Sequence, residues 1–471
     1  MEPGPLVIGA ERVRTGQTIE VTSPYSGEVV GAVAKAGTEH LDAAVAAARD
    51  AMSAPLPTHQ RVAVLDAVAA RLTERAEDFA RLIAAEAAKP LRTARAEVAR
   101  GIDTLAFSAA AARTLTGEFL PLDASAAGEG KVGWVTRVPA GVVAAITPFN
   151  FPLNLVLHKL GPSLAAGCAV VLKPASSTPL TAAALVELFH DCGLPPGWLN
   201  FTPCSGSTAN HLVTHPGVDV VSFTGSREVG WSIREQAPRK RVGLELGNNS
   251  PAIVEPDADW RAAARKIAAA GNSYAGQSCI STQRVYVHDE IAAAFLDELA
   301  AAVGELVVGD PLDEATDVSA LIDAGETERV RAWVREAVAA GASVAAGGEQ
   351  DGGVLRPTVL ADVKQDMRVS REEVFGPVLA VQTYGDYDDA LAMANDTDYG
   401  LQAAVFTRDL GKALRAARVL RYGGVLVNET PTWRADLMPY GGVGDSGNTR
   451  EGPAYAIREL LTEQRLVVLQ P

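Results

Sequence analysis

The feature that most constrains the fold is a regular alternation of short apolar runs and helical stretches between residues 141 and 246. Each apolar run, interpreted as a buried strand, is followed by a segment with helical periodicity. The predicted strands are 141–146, 169–172, 198–201, 218–223 and 242–246, and the predicted helices are 153–166, 179–190, 207–214 and 227–236. Alternation at this spacing requires right-handed crossovers and therefore predicts a parallel sheet.

Polar or small residues follow several of the predicted strand ends. Asn150, Lys173 and Gly225 are the clearest cases. Ligands of open parallel sheets bind outside the carboxyl ends of the strands. We therefore expect a ligand at this edge of the predicted sheet.

A second α/β block begins near residue 247, with predicted strands at 252–254, 284–287, 342–345, 378–383, 402–406 and 424–427 and helices at 290–303, 324–340, 386–395 and 409–420. Residues 38–115 are predicted to be helical, with an interruption at Lys89-Pro90. The glycine-rich stretch 117–138 predicts a hairpin or an extended arm. The last strand, 466–469, follows a helix and has no hairpin partner, so it must pair elsewhere, for instance with another subunit.

Charge and cysteine usage exclude several classes of protein. The 471-residue chain has a formal net charge of −15, which disfavours nucleic acid or an anionic membrane as a partner. Its 4 cysteines form no CxxC pair and no His cluster accompanies them, so we expect neither a metal site nor disulfides. No signal peptide and no long apolar stretch is apparent, and we expect a cytoplasmic location.

Cys279 and Glu245 are the first candidates for chemistry. Cys279 lies in a short polar stretch among small residues, where a substrate can approach closely, whereas Glu245 ends a predicted strand. A thiolate can attack a carbonyl carbon, and a carboxylate can then activate water to release the product. A random cysteine is more often a buried structural thiol, but the Gln277-Ser278 context argues against that here. The other three cysteines are interpreted as packing residues.

Six motifs are similar, in order and separation, to those of the aldehyde dehydrogenase superfamily. They are Thr147-Pro148-Phe149-Asn150-Phe151-Pro152, Leu172-Lys173-Pro174-Ala175, Ser222-Phe223-Thr224-Gly225-Ser226, Glu245-Leu246-Gly247-Asn248-Asn249-Ser250, Gly276-Gln277-Ser278-Cys279 and Glu372-Glu373-Val374-Phe375-Gly376-Pro377. The resemblance runs from about residue 20 to the C-terminus. Residues 428–447 most resemble members that act on lactaldehyde, phosphonoacetaldehyde and similar small polar aldehydes.

The resemblance implies three catalytic residues. Cys279 is the implied nucleophile, which forms a thiohemiacetal and then a thioester. Glu245 is the implied base that activates water, a role suited to a pKa raised by partial burial. The side-chain amide of Asn150 and the backbone N–H of Cys279 are the implied donors to the oxyanion.

The resemblance also implies an NAD(P)+ site. Lys173 is placed on the adenosine ribose, and the pyrophosphate near the helix that starts after Gly225 and Ser226. Ser176 stands where many NAD-using members carry a glutamate that repels a 2′-phosphate, so NADP is tolerated and weakly favoured, with NAD still open. The other implied cofactor residues are Thr147, Phe149, Leu246, Glu373 and Phe375.

The implied substrate residues are His158, Arg434, Trp433 and Arg100. His158 lies about two helical turns after Asn150, and Arg434 and Trp433 lie in a loop that forms the substrate mouth in relatives. One His and two Arg can hold a carboxylate, phosphate or phosphonate. The alternative, that they are unrelated surface or packing groups, stays open.

The implied architecture is α/β. We expect a Rossmann-like NAD(P)-binding domain from 1–118 and 140–246, an α/β catalytic domain from 247–450, and an oligomerisation arm and C-terminal strand from 119–139 and 451–471, with a homodimer or homotetramer as the assembly. The expected activity is oxidation of a small, anionic or neutral aldehyde to the acid. Two alternatives remain: a non-redox cysteine acyl hydrolase or acyltransferase, and a catalytically silent structural protein.

Overall fold

The N-terminal region is helical, as predicted, but short strands precede its helices. The computed structural model describes residues 2–470. This region contains β1 (Leu6–Ile8), β2 (Glu11–Val13), β3 (Thr18–Thr22), β4 (Val29–Ala34), α1 (Thr38–Met52), α2 (Thr58–Glu74), α3 (Ala76–Ala87) and α4 (Leu91–Thr114), followed by β5 (Glu118–Leu120) and β6 (Val132–Pro139). The predicted interruption at Lys89-Pro90 is confirmed, because α3 ends at Ala87 and α4 starts at Leu91.

The predicted parallel sheet is confirmed in the next part of the chain. Its elements are β7 (Val143–Ile146), α5 (Asn154–Ala166), β8 (Val170–Lys173), α6 (Leu180–Asp191), β9 (Leu199–Phe201), α7 (Gly206–Thr214), β10 (Val220–Thr224), α8 (Arg227–Gln236) and β11 (Arg241–Glu245). The strand order is β11-β10-β7-β8-β9-β1-β2, with β7 to β11 parallel and β1 antiparallel to β9. Ile146 pairs with Lys173 and Thr224 with Glu245, so these strands end at one edge.

The second α/β block forms a separate seven-stranded sheet. Its elements are β12 (Pro251–Val254), α9 (Trp260–Asn272), β13 (Arg284–His288), α10 (Ala292–Gly304), α11 (Ala324–Ala339), β14 (Ser343–Ala346), β15 (Gln350–Asp351), β16 (Val354–Leu355), β17 (Thr358–Ala361), α12 (Arg368–Arg371), β18 (Val378–Tyr384), α13 (Tyr387–Asn395), β19 (Gln402–Phe406), α14 (Leu410–Val419) and β20 (Gly424–Val427). The order is β14-β17-β18-β13-β12-β19-β20. The predicted strands and helices are confirmed, whereas α9, α12, β15, β16 and β17 were not foreseen.

The C-terminal strand finds a partner within its own chain. After α15 (Pro453–Ala456) and a π-helical turn at Ile457–Leu461, β21 (Thr462–Leu469) pairs antiparallel with the whole of β6, and β5 pairs with the other side of β6. Another subunit is therefore not needed to pair this strand. The outer edge of β21 carries the exposed side chains of Leu466 and Leu469, and the assignment of this sheet to oligomerisation stays a prediction, as does the division into domains.

A buried ion pair fixes the start of α5, which follows the Asn150 turn. Glu97 on α4 accepts hydrogen bonds from the backbone N–H groups of Leu153 and Asn154, at 2.9 and 3.0 Å. Its other oxygen pairs with the buried ammonium of Lys89. A carboxylate at a helix N-terminus satisfies free N–H groups and complements the helix dipole, so this contact locates the turn against α4.

Among residues 2–470, no helix combines the length and apolarity needed to cross a membrane.

Candidate active site

A cavity of about 1700 Å³ opens at the carboxyl edge of the first sheet and extends to the second block. Its lining includes every residue that the sequence analysis assigned to catalysis or to the cofactor: Thr147, Phe149, Asn150, Lys173, Ser176, Gly225, Ser226, Glu245, Leu246, Cys279, Glu373 and Phe375. These residues come from both α/β blocks and are thus brought together by the fold. The four predicted substrate residues are not among the lining residues.

Cys279 lies on a tightly bent loop between α9 and β13. Tyr274 and Ala275 both adopt left-handed backbone conformations, with φ of 50° and 52°, which cost on the order of 1–3 kcal/mol each. Gly276 (φ +71°) follows, and a Cβ there would lie 2.1 Å from the carbonyl oxygen of Gly376. The loop is therefore held in a conformation that points Cys279 to the cavity at the cost of local strain.

The sulfur of Cys279 is half-buried and lies 2.9 Å from the hydroxyl oxygen of Tyr440. Burial raises the pKa of the thiol to about 12, and the nearby carboxylates of Glu373 and Glu245 add to the effect. The hydrogen bond with Tyr440 and the positive charge of Arg434 oppose it. The environment thus favours the neutral thiol before a ligand enters.

Asn150 is buried and contacts the cysteine loop directly. Its Nδ2 donates to the backbone oxygen of Gln277 at 2.9 Å. An amide nitrogen carries two N–H groups, so one remains for a ligand in the cavity. This arrangement lets Asn150 both fix the loop and offer a donor beside Cys279.

Glu245 ends β11 and is buried beside the cavity. Neither of its carboxylate oxygens has a hydrogen-bond partner among the residues that the structure describes. Burial raises its pKa well above the usual value, and the negative charge of Glu451 raises it further, whereas Arg434 and Lys159 lower it. This environment makes Glu245 a stronger proton acceptor than an exposed carboxylate.

One end of the cavity suits an adenosine phosphate. Lys173 is buried at the end of β8, and burial lowers its pKa. Ser176 donates its hydroxyl to the backbone oxygen of Cys204 at 3.1 Å and also faces the cavity. Ser226 is the residue before α8, whose first N–H groups lie at the cavity. A buried ammonium and free helix N–H groups fit a dinucleotide, which is anionic.

The opposite end of the cavity presents a carboxyl and two aromatic rings. Glu373 accepts a hydrogen bond from the backbone N–H of Asn248 at 2.9 Å, and burial raises its pKa to about 8. The rings of Phe149 and Phe375 meet edge to face, with centroids 5.9 Å apart. A carboxyl acceptor beside apolar rings fits a ribose and an attached ring.

Asp436 is the centre of a buried polar cluster that includes two of the predicted substrate residues. Its carboxylate accepts from Arg100 (2.9 and 2.8 Å), from His158 (2.8 Å) and from Asn154 (3.1 Å). Burial alone would raise the pKa of Asp436, but the hydrogen bonds from His158 and Arg100 outweigh it and keep the pKa below the usual range. Burial and the charge of Arg434 lower the pKa of His158, so the ring is neutral at neutral pH. Arg100 is thus already paired.

Arg434, the second arginine of this cluster, has one N–H group that no other described side chain accepts. Its Nη2 donates to Glu451 at 3.0 Å and lies 2.9 Å from Nε2 and 3.4 Å from Nδ1 of His158. Its guanidinium carbon lies 3.7 Å from the ring centroid of Tyr440. Its Nε is buried without a hydrogen-bond partner among the described residues. The side chain of the neighbouring Trp433 is exposed, while its backbone oxygen accepts from Gln402 and its backbone N–H donates to Thr430.

Sequence reasoning missed three residues of this site: Asp436, Glu451 and Tyr440. Tyr440 lies in the 428–447 segment that carried part of the resemblance, so its place next to a substrate loop was a usable signal. Asp436 and Glu451 gave no signal, because an isolated carboxylate in a polar loop is usually solvated.

A group of potential metal ligands lies outside the cavity lining. Asp42, His211 and His215 place one ligand atom each within 4.8 Å of one another. Nδ1 of His215 accepts the N–H of Gly217 at 2.9 Å, so Nε2 carries the proton and donates to Asp42. These side chains satisfy one another without an ion.

Comparisons with known proteins agree with this geometry. The sequence profile of the Aldehyde dehydrogenase family matches residues 12–466. The 3-sulfolactaldehyde dehydrogenase of Priestia aryabhattai is 45% identical, over 98% of this chain and 97% of that protein.

Two solved structures are similar along the whole chain. Aldehyde dehydrogenase 21 from Physcomitrella patens, in complex with the reaction product succinate, has a TM-score of 0.95 at 38% identity and covers 100% of this chain and 99% of its own. The NADP-dependent glyceraldehyde-3-phosphate dehydrogenase of Bacillus halodurans C-125, complexed with NADP, has a TM-score of 0.97 at 36% identity with the same coverage.

The matched profile, the full-length similarity and a cavity that joins a thiol to a dinucleotide-sized cleft lead to one conclusion. The chain belongs to the aldehyde dehydrogenase family and is an NAD(P)-dependent enzyme.

Proposed function

We propose that this enzyme oxidises a small aldehyde bearing an anionic group to the free carboxylic acid, with Cys279 as the nucleophile. The observation that carries the proposal is that Cys279, Asn150 and Glu245 line the same cavity as the residues suited to the dinucleotide. A cysteine acyl hydrolase would leave Lys173 and Glu373 at this cavity without a purpose. A silent scaffold would have no use for the nucleophile, donor and base together.

In the proposed reaction Cys279 releases its proton to solvent and reacts as the thiolate. Its sulfur bonds to the carbonyl carbon while the C=O π electrons move to the oxygen, which gives the thiohemiacetal oxyanion. The oxyanion accepts hydrogen bonds from Asn150 and from the backbone N–H of Cys279, an arrangement typically worth about 3–4 kcal/mol of barrier. The oxyanion then re-forms the C=O bond as a hydride leaves the same carbon, which gives the thioester; bound NAD(P)+ would supply the acceptor for that hydride. Glu245 then takes a proton from water, the hydroxide adds to the thioester, and the acid leaves as the C–S bond breaks.

The proposed cofactor residues divide by position in the cavity. Lys173, with Gly225 and Ser226 at the start of α8, would hold the adenosine and pyrophosphate, whereas Glu373 and Phe375 would hold the nicotinamide ribose and ring. Thr147, Phe149 and Leu246 would line the path between them. We favour NADP+ over NAD+ because Ser176 offers a hydroxyl where a carboxylate would repel the 2′-phosphate.

The charges around Arg434 support an anionic substrate. Two arginines, Arg100 and Arg434, lie in this cluster, and Arg434 keeps a donor unused: its Nε is buried without a hydrogen-bond partner among the described residues. A substrate anion beside Arg434 would satisfy that donor. Sulfolactaldehyde, succinate semialdehyde and glyceraldehyde-3-phosphate, which similar proteins are named for, all carry such an anion. In this proposal Arg434 contacts the substrate anion, Arg100 and His158 hold Asp436, and Trp433 shields the entrance.

The sheet of β5, β6 and β21 is the proposed contact in a homodimer or a homotetramer, in a cytoplasmic protein. The exposed apolar side chains Phe119, Leu466 and Leu469 support a role in assembly. An edge strand left open would otherwise favour aggregation.

Replacing the nucleophile tests the proposed activity. Cys279→Ser should lower aldehyde-dependent NADPH formation at least about 1000-fold, because a neutral hydroxyl is a far weaker nucleophile than a thiolate. Turnover is followed by absorbance of the reduced cofactor, and Cys192→Ser, a half-buried thiol off the cavity, serves as the matched control. Most of the turnover surviving in Cys279→Ser would refute the nucleophile.

The residue at 176 tests the cofactor preference. Ser176→Glu should raise KM for NADP+ at least about tenfold, because two negative charges would lie close together, and should leave KM for NAD+ within about threefold. Ser176→Gln has similar size without the charge and should retain NADP+. Equal effects of Glu and Gln on KM for NADP+ would argue against a 2′-phosphate site.

The substrate anion is tested at Arg434. For Arg434→Ala, the ratio of kcat/KM for succinate semialdehyde to that for butanal should fall at least about 30-fold, a difference of about 2 kcal/mol. Arg434→Lys keeps the charge and should retain more of the ratio. Parallel losses on the charged and uncharged aldehydes would remove the anion contact and leave Arg434 as a structural group.

A further inference from the structure

Tyr440 lies outside the six motifs that resemble the family. Its side chain contacts the sulfur of Cys279, which is the proposed reacting atom. Its ring is buried, and its hydroxyl oxygen lies 2.9 Å from the sulfur of Cys279. Within residues 2–470, this hydroxyl has no other hydrogen-bond partner. The contact is therefore specific to the sulfur, and a phenylalanine ring could fill the same space without making it.

The surroundings hold the phenol in this place. The guanidinium of Arg434 lies over the ring, 3.7 Å from its centroid. The backbone oxygen of Tyr440 accepts the N–H of Glu451 at 2.6 Å, and Glu451 in turn binds Arg434. A cation over an aromatic face withdraws electron density from the ring and makes the O–H a better donor. The ring is thus both fixed and polarised.

We propose that Tyr440 is a catalytic residue whose hydroxyl donates a hydrogen bond to the Cys279 thiolate and so increases the fraction of reactive sulfur. A thiolate can only accept, so in that state the proton of the contact belongs to the phenol. Hydrogen bonds to charged groups are stronger than those to neutral ones, so the contact favours the thiolate over the thiol. After the sulfur bonds to carbon it becomes a weak acceptor, and the stabilisation is released. The inference rests on the proposed role of Cys279.

Four groups around the sulfur decide the balance between thiol and thiolate. Burial and the carboxyl groups of Glu373 and Glu245 favour the thiol, whereas Tyr440 and Arg434 favour the thiolate. Burial raises the pKa of Glu373 to about 8 and also raises the pKa of Glu245, which reduces the negative charge that they bring to the sulfur. Without the Tyr440 hydroxyl, Arg434 would be the one group of these four that still favours the Cys279 thiolate.

The test is the rate at which iodoacetamide alkylates Cys279 as a function of pH, quantified by mass spectrometry of the peptide that contains it. In Tyr440→Phe the rate at neutral pH should fall about three- to tenfold, and the rate–pH curve should move to higher pH. The fall is smaller than the loss of thiolate, because a more basic thiolate is also more nucleophilic. Tyr387→Phe, which removes a hydroxyl bonded to the backbone of Lys412, is the control and should follow the wild-type curve.

Superimposable curves for Tyr440→Phe and the wild type would overturn the inference. Faster alkylation of the variant would also overturn it, because the hydroxyl would then be holding the sulfur as a thiol. Melting temperatures within a few degrees would exclude a folding defect as the cause of a slower rate. Aldehyde oxidation is measured separately: a wild type that alkylates as expected but oxidises no aldehyde would sink the proposed function and not this role of Tyr440.

Discussion

One buried carboxylate, that of Asp436, links the loop that carries Arg434 and Tyr440 to the helices α4 and α5. It lies in the loop after β20, yet its partners Arg100, Asn154 and His158 come from α4 and α5 of the other α/β block. A buried carboxylate without partners would cost several kcal/mol, so the two blocks must meet in a geometry that satisfies it. That same geometry places Arg434 and Tyr440, two and four residues away, beside Cys279.

Burial then sets the chemistry of the ionisable groups. It raises the pKa values of Glu245, Glu373 and Cys279, and the balance is adjusted by a few charges at fixed positions. Because these side chains are removed from bulk solvent, each nearby charge acts more strongly than it would at the surface. A base with a raised pKa and a thiol stabilised as a thiolate only by local donors are what the proposed two-stage reaction requires.

Much of the fold was predictable because local patterns agree with it. The helix predicted at 227–236 has those bounds, and the parallel sheet follows from regular alternation. The miss of α9 has a physical reason: Ile267 is the one large apolar side chain that this helix buries, so its apolar stripe is weak. Asp259 at its start is a capping residue that could have revealed it. The four-residue strand β17 was also missed, although strands of the same length, such as β8 and β12, were predicted. The catalytic and cofactor residues that line the cavity were proposed from the motifs. The role of Asp436 could not be predicted from the sequence, because its hydrogen-bond partners are distant along the chain.

The central claim is that the acyl group of the product is carried by Cys279 and released by water under the control of Glu245. The most direct measurement is the intact mass of Glu245→Gln after reaction with succinate semialdehyde and NADP+, with the modified peptide identified. The account predicts a burst of about one NADPH per subunit and a succinyl adduct on Cys279 that persists. Steady turnover of the variant with no adduct, or an adduct on another residue, would contradict it.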